Sequence, residues 1–291
     1  MASTLLISAI LLVLLSSSWG PGHHLEFAER VYRRRRELLP TGVASLLNDH
    51  KASYFYGNIA ADIINFKAYG GSYNHCHRWS IVDDMREHAE TDGQEAFILG
   101  YLSHLAADSI AHNHFVPYHL ARFARTSGLG HLYWEMNADR FIADSRWEHL
   151  TELRNDSDLD ELDSLVNAAV PKKALSMRTN KLIFNHVLLI GHRNRWRSGM
   201  EKIHPRRNVA LKRGFLAMFQ KAAVNRIRLA LSPRGLEKLA EVDPNGKQAL
   251  GKALQLRTGI VHRFVPGRMR SDESEKLAEP FLKGMESPPR S

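Results

Sequence analysis

The stretch YLSHLAADSIAHNHFVPYHL, Tyr101 to Leu120, decides how the chain is read: its apolar residues recur at helical spacing, yet four histidines and an aspartate interrupt them. One histidine on an apolar helix face is most often a hydrogen-bonded core residue. The spacing here argues for more. His104 and Asp108 are four apart, so on a helix both project from one face, close enough to hold a single ion. His114 follows six residues later. Beyond a short glycine-containing break, GHLYWEMNAD repeats the arrangement with His131 and Glu135, again four apart. Imidazole and carboxylate are ligands that zinc takes in catalytic sites, and facing helices of a bundle are a usual place to assemble them.

Outward from this stretch, helical periodicity dominates and no convincing period-two run appears, so the fold is expected to be all-α. The clearest helix candidates are HLEFAERVYRRRRELL before Pro40, GQEAFILGYLSHLAADSIAHNHF, GHLYWEMNADRFIADS, KALSMRTNKLIFNHVLLIGH and NVALKRGFLAMFQKAAVNRIRLALS, separated by Gly, Pro, Asn and Ser. Arg33 to Arg36 and the last of these helices are basic. The ordinary reading of each is a solvated face, although a basic amphipathic helix also suits a membrane surface. No glycine-rich phosphate loop and no serine nucleophile elbow is present.

The 291 residues can bury a full core, and no boundary forces two domains. We expect a signal peptide over residues 1–18, one all-α catalytic domain over 19–265 and a loosely held polar tail over 266–291. The apolar run Leu5 to Leu15 is short for a spanning helix, and small serines follow it, which places a cut between Ser18 and Trp19. No Lys or Arg precedes the run, so an uncleaved anchor is the alternative. Export implies a secreted or periplasmic protein. The single Cys76 allows no internal disulfide, leaving core packing or metal to hold an exported chain together. Cys76 is read as a buried thiol rather than a ligand. The formal charge of +9 favours an anionic partner: membrane headgroups, nucleic acid or a phosphorylated small molecule.

Two further stretches carry ligand-type residues. YGNIAADI places Asp62 shortly after a Gly-Asn pair read as a tight turn, and NHCHRWS supplies His75 and His77. WGPGHHLEF would open the mature chain with Trp19, His23 and His24. In this order the series resembles the zinc-dependent phospholipase C family, over about Trp19 to Asp139. The most specific part is the HxxxD, His, HxxxE pattern of His104, Asp108, His114, His131 and Glu135. The resemblance implies a helical bundle around up to three zinc ions. Asp62, His77, His104 and Asp108 would hold the first, and His114, His131 and Glu135 the second. Asp108 would bridge to a third, completed by His24 and by the amino and carbonyl groups of an amino-terminal Trp19. His77 is preferred to His75, His23 stands where the family has a small hydroxyl residue, and His112 and His119 have no role in the pattern.

The implied activity is hydrolysis of a glycerophospholipid phosphodiester by metal-activated water, with Asp62 as candidate general base or a purely structural ligand. Its partner is then a phospholipid or membrane surface. Two rivals remain: a tri-zinc single-strand nuclease or nucleotidase, with Tyr54, Tyr56, Trp79 and Tyr133 as stacking or acyl-chain surfaces, and a non-catalytic zinc-binding envelope protein with a closed ligand shell.

Overall fold

The computed structural model describes residues 19–64, 76–123, 130–190, 211–263 and 271–286, and among them every regular element is a helix. Pro21 starts α1 (Pro21–Arg33), where its missing N–H removes no helical bond. The chain breaks at Arg34 before the single turn α2 (Arg35–Leu38), then runs through α3 (Thr41–Asp49), α4 (Lys51–Ile63) and α5 (Ile81–Arg86). A capping box opens α6 (Asp92–Ile110): Gln94 N donates to Thr91 Oγ1 at 3.2 Å and Thr91 N donates back to Gln94 Oε1 at 3.1 Å. Helix α6 does not stop at Ile110. It passes through a π turn (Ala111–Phe115) into α7 (Val116–Arg122), where Pro117 sits in the first turn and is tolerated.

The remaining elements are α8 (Gly130–Asp139), α9 (Asp144–Asn155), a 3-10 turn (Ser157–Leu162), α10 (Asp163–Ala169), α11 (Met177–Ile190), α12 (Arg213–Ala230), α13 (Gly235–Leu239), α14 (Lys247–Arg263), α15 (Ser271–Ala278) and a last 3-10 turn (Glu279–Leu282). The all-α expectation holds. Helix α6 is the central element, buried along almost its whole length and packed against α4 on one side and α12 on another. Arginines 33 to 35 pair locally, with Glu29, with Glu37, and with Tyr32 O and Asn48, as a solvated face would. No helix among the described residues is long and apolar enough to cross a membrane. Residues 1–18, read as a signal peptide, lie outside the described residues.

Two expectations need correction. The Gly57-Asn58 pair is not a turn: it lies inside α4, which runs unbroken to Ile63. The tail expected to be loosely held is, over 271–286, a helix and turn packed on α7, with Ser274, Ala278, Phe281 and Met285 buried.

Gly57 serves close approach instead. A Cβ on Gly57 would lie 2.0 Å from Phe97 O, and one on Gly100 would lie 2.1 Å from Tyr54 O, so α4 and α6 cross backbone to backbone. That contact brings the Asn58 carbonyl, one residue on, to within 2.9 Å of His104 Nδ1. Gly100→Ala is therefore expected to destabilise the fold by about 1–3 kcal/mol in urea denaturation. Gly42→Ala, with no heavy atom within 4 Å of its new methyl group, should be neutral or stabilising by up to about 1 kcal/mol. Equal stability of Gly100→Ala and wild type would refute the close-packing account.

Candidate metal centre

Four separate segments deliver ligand-type side chains to one buried point. Helix α1 supplies His24, α4 supplies Asp62, the stretch before α5 supplies His77, and α6 supplies His104 and Asp108 one turn apart. Asp108 is the hub. Its Oδ1 lies 3.1 Å from His24 Nε2, and its Oδ2 lies 3.0 Å from His77 Nε2 and 3.2 Å from His104 Nε2. Asp62 stands a little back, with its oxygens 3.9–4.0 Å from the same three imidazole nitrogens. The atoms group into two overlapping sets, His24–Asp62–His104 and His77–His104–Asp108, each spanning no more than 4.8 Å. The rings of His24 and His104 stack with centroids 3.8 Å apart.

These residues fit a metal on chemical grounds. Both ring nitrogens of His24 and both carboxylate oxygens of Asp108 are buried and make no hydrogen bond of acceptable geometry. Such groups are rarely left so in a protein interior. His104 Nδ1 faces the Asn58 carbonyl, which can only accept, so Nδ1 carries the hydrogen and Nε2 the lone pair. That Nε2 lies 3.0 Å from His77 Nε2 and 3.2 Å from a carboxylate oxygen. A cation between them could take the His104 lone pair and the carboxylate oxygen as ligands together. Burial, reinforced by the neighbouring His104, lowers the pKa of His24 against the pull of Asp108, which favours the neutral, ligating form. Burial pushes the Asp108 carboxyl up, but positive charge on the His104 and His24 rings outweighs it and holds the group well below the usual carboxylate range; with those rings neutral, a bound cation would supply that charge instead.

The other expected ligands stand outside this cluster. Trp19 is buried against α6: its Nε1 donates to Ala107 O at 3.0 Å, one residue before Asp108, and its ring stacks between His23 and Phe115. Glu135 is buried on α8, and His114 sits in the π turn with Nδ1 2.8 Å from Phe281 O, its pKa lowered to about 4 chiefly by burial. His75 and the side chain of His131 lie outside the described residues, so the His75 alternative and the completeness of the second set are open there. Cys76 is buried, its thiol 3.6 Å from Ala61 O and 3.3 Å from His77 Nδ1, on the far side of the ring from the cluster. His119, given no role by the pattern, is a core residue whose Nδ1 donates to Phe115 O.

Several supporting residues carry no signal in the sequence. His23 turns away from its neighbour: Nδ1 lies 2.5 Å from Asp139 Oδ1 and Nε2 3.0 Å from Gln220 Nε2, so both ring nitrogens are engaged. Asp139 in turn fills the space a side chain on Gly20 would need. The DPNG turn, Asp243 to Gly246, closes over the site. Asn245 Nδ2 donates to His77 O at 2.8 Å, Asn113 Nδ2 to Asp243 O at 2.7 Å and Trp79 Nε1 to Val242 O at 2.7 Å. Gly246, at φ 58°, rests against His112 O, where any Cβ would clash. Of the four aromatics weighed as stacking or acyl-chain surfaces, Tyr54 and Tyr56 are buried in helix packing, bonded to Ser103 and Asp163, and cannot serve. Trp79 and Tyr133 remain partly exposed.

Because Asp108 touches three imidazoles and His112 lies in neither ligand set, Asp108→Asn should lower the bound metal per chain far more than His112→Ala. Elemental analysis of the two purified variants decides this, and equal losses would mean that the ligating helix face is wrongly assigned.

No curated protein and no solved structure matches the chain significantly. The family model described as zinc dependent phospholipase C matches residues 23–185. That span covers more than half of the chain and contains His24, Asp62, His77, His104, Asp108, His114, His131 and Glu135. A buried set of imidazoles and carboxylates that calls for a cation, inside a matched all-helical span, makes the chain a member of the zinc-dependent phospholipase C family.

Proposed function

We propose that this protein is an exported zinc-dependent phospholipase C that hydrolyses the phosphodiester of a glycerophospholipid, releasing diacylglycerol and a phosphorylated headgroup. The observation that carries this reading is the convergence of His24, Asp62, His77, His104 and Asp108 on one buried point, with hydrogen-bond-free atoms on His24 and Asp108. Zinc bound there supplies an activated water and neutralises charge on the phosphoryl oxygens and the leaving alkoxide. His24, His104 and Asp108 are fully buried, and His77 nearly so at 1 % exposure, whereas Asp62 is 7 % exposed. Asp62, whose oxygens stand 3.9–4.0 Å from the three imidazole nitrogens where those of Asp108 stand at 3.0–3.2 Å, is the carboxylate with more room to take a proton from the attacking water. His104, held by Asn58 O, and His77, backed by Cys76 and by Asn245 on its carbonyl, keep the surrounding geometry fixed.

We further propose up to three zinc ions, with His114, His131 and Glu135 at a second position and Trp19 with His24 at a third. Support for the third comes from Trp19 lying against α6 beside Asp108. A main-chain amine ligates only once freed, which ties this position to cleavage between Ser18 and Trp19. The single-strand nuclease reading draws support from the net charge of +9, but burial of Tyr54 and Tyr56 takes away half of its stacking candidates.

Glu135→Gln and His104→Ala are each expected to lower phosphodiester hydrolysis by more than about a hundredfold, above the 10–100-fold typical of losing an outer partner of a ligand. The wild type should cleave phosphatidylcholine-like vesicles in preference to single-stranded DNA. Efficient DNA cleavage without lipid hydrolysis would transfer the assignment to the nuclease, and an inactive protein with full zinc content would transfer it to the binding protein. Intact mass should give a mature chain starting at Trp19. A residue added ahead of Trp19 should weaken one ion without unfolding the bundle.

A further inference from the structure

The ring of His114 is met from outside the matched span. His114 sits in the π turn, where i→i+5 bonds such as Val116 N to Ala111 O replace the α-helical pattern and shift the facing of its residues relative to α6. What meets its ring is a main-chain carbonyl, Phe281 O, 2.8 Å from Nδ1. A carbonyl only accepts, so Nδ1 carries the hydrogen and Nε2 is left as the ligating atom. Asn58 O does the same for His104 from within the matched span. Phe281, about a hundred residues past the end of that span, is called for by nothing in the family pattern.

Phe281 is also held in place as a positioning group must be. The segment before it, α15, is bolted to α7, the helix that continues directly from the π turn. Arg122 Nη1 donates to Ser274 Oγ at 2.5 Å and Nη2 to Glu275 Oε2 at 2.8 Å. Ser274, Ala278 and the Phe281 side chain are buried, and Gly284 at φ 77° turns the chain away immediately afterwards. A cavity of about 720 Å³ opens beside this contact, with His114 and Asn113 on one wall, Phe281 and Pro280 on another, and Lys252 on α14 across it. The carbonyl thus sits where the site meets open space. There an unsupported imidazole would be free to rotate.

We propose that the C-terminal segment Ser271–Leu282 is a working part of the second metal position: the Phe281 carbonyl fixes the tautomer and ring orientation of His114. The proposal rests on His114 being a ligand. A segment that only packs would cost stability when disturbed and leave metal binding alone, so the two roles separate by measurement.

The test uses the full chain loaded with zinc, with zinc per chain and chelator competition as readouts. Phe281→Gly, which loosens the turn, should weaken one ion by about 10–100-fold and leave the others unchanged. Phe281→Leu, which keeps the buried anchor, should bind like wild type. Leu165→Ala, a core truncation in α10 away from the segment, should lower stability without loss of metal. Combining Phe281→Gly with His114→Ala should add nothing to the loss seen with His114→Ala alone. If Phe281→Gly is folded by circular dichroism and binds every ion at wild-type affinity while His114→Ala loses one, the positioning role is overturned and the ligand assignment stands. If His114→Ala loses no ion, both fall together.

Discussion

An aspartate with no exposed surface, facing three imidazoles, is the constraint around which the rest of the fold is arranged. Removing a carboxylate from water costs several kcal/mol even after relaxation, and the cost is tolerable only when a cation and fixed dipoles stand against it. Asp108 is fully buried and its carboxylate oxygens make no hydrogen bond. The nitrogens around it are the wrong partners for a carboxylate if they carry lone pairs, as His104 Nε2 does once Nδ1 has donated to Asn58 O. A divalent ion resolves both problems at once, because it turns each converging lone pair from a repulsion into a bond. The helix bearing Asp108 accordingly runs through the middle of the molecule, covered on one side by α4 and on another by α12.

Placing the ligands is then a matter of how closely the helices approach. Gly57 and Gly100 allow α4 and α6 to meet backbone to backbone, and every candidate ligand on these two helices lies within eight residues of one of these glycines. Any side chain at either glycine would push the helices apart by the amount that separates a hydrogen bond at 2.9 Å from none. On α1 the choice between adjacent histidines follows from geometry: consecutive residues point about 100° apart, so when His24 faces Asp108, His23 must face elsewhere. It finds Asp139 and Gln220. The buried His23–Asp139 contact in turn fixes the start of α1, and with it Trp19.

Much of the site was legible because its most specific part is local. His104 and Asp108 share a face through their i, i+4 spacing, and helical periodicity fixed the class of fold without any further information. Asp62 falls in the buried cluster, as its residue type and position suggest, but on an unbroken helix rather than after a turn. Gly-Asn is a strong turn signal, and only the tertiary contact with α6 explains a glycine inside α4. Helices α3, α4, α9 and α15 were not anticipated: α3 and α15 are short, α9 is polar, and α4 is buried on every side from Tyr54 to Ile63, so none shows a clean apolar stripe and their helicity owes more to packing than to pattern. Asn58 O, Phe281 O and the DPNG turn act through main-chain atoms or through long-range side-chain contacts. No residue type at a given spacing announces a carbonyl that will meet a histidine more than a hundred positions away.

The ligand-type residues come from four segments that are distant in sequence, so a metal bound among them would be part of the fold as well as of any chemistry. With one cysteine the chain can form no internal disulfide. An ion held by His24, Asp62, His77, His104 and Asp108 joins α1, α4, the stretch before α5 and α6, so it closes several long loops in the manner of a cross-link. Ion binding to the folded chain alone raises stability in proportion to the logarithm of free metal over its dissociation constant, and binding free energy then becomes folding free energy. All five of these residues are buried, so an ion among them would serve the fold whatever chemistry it also supports.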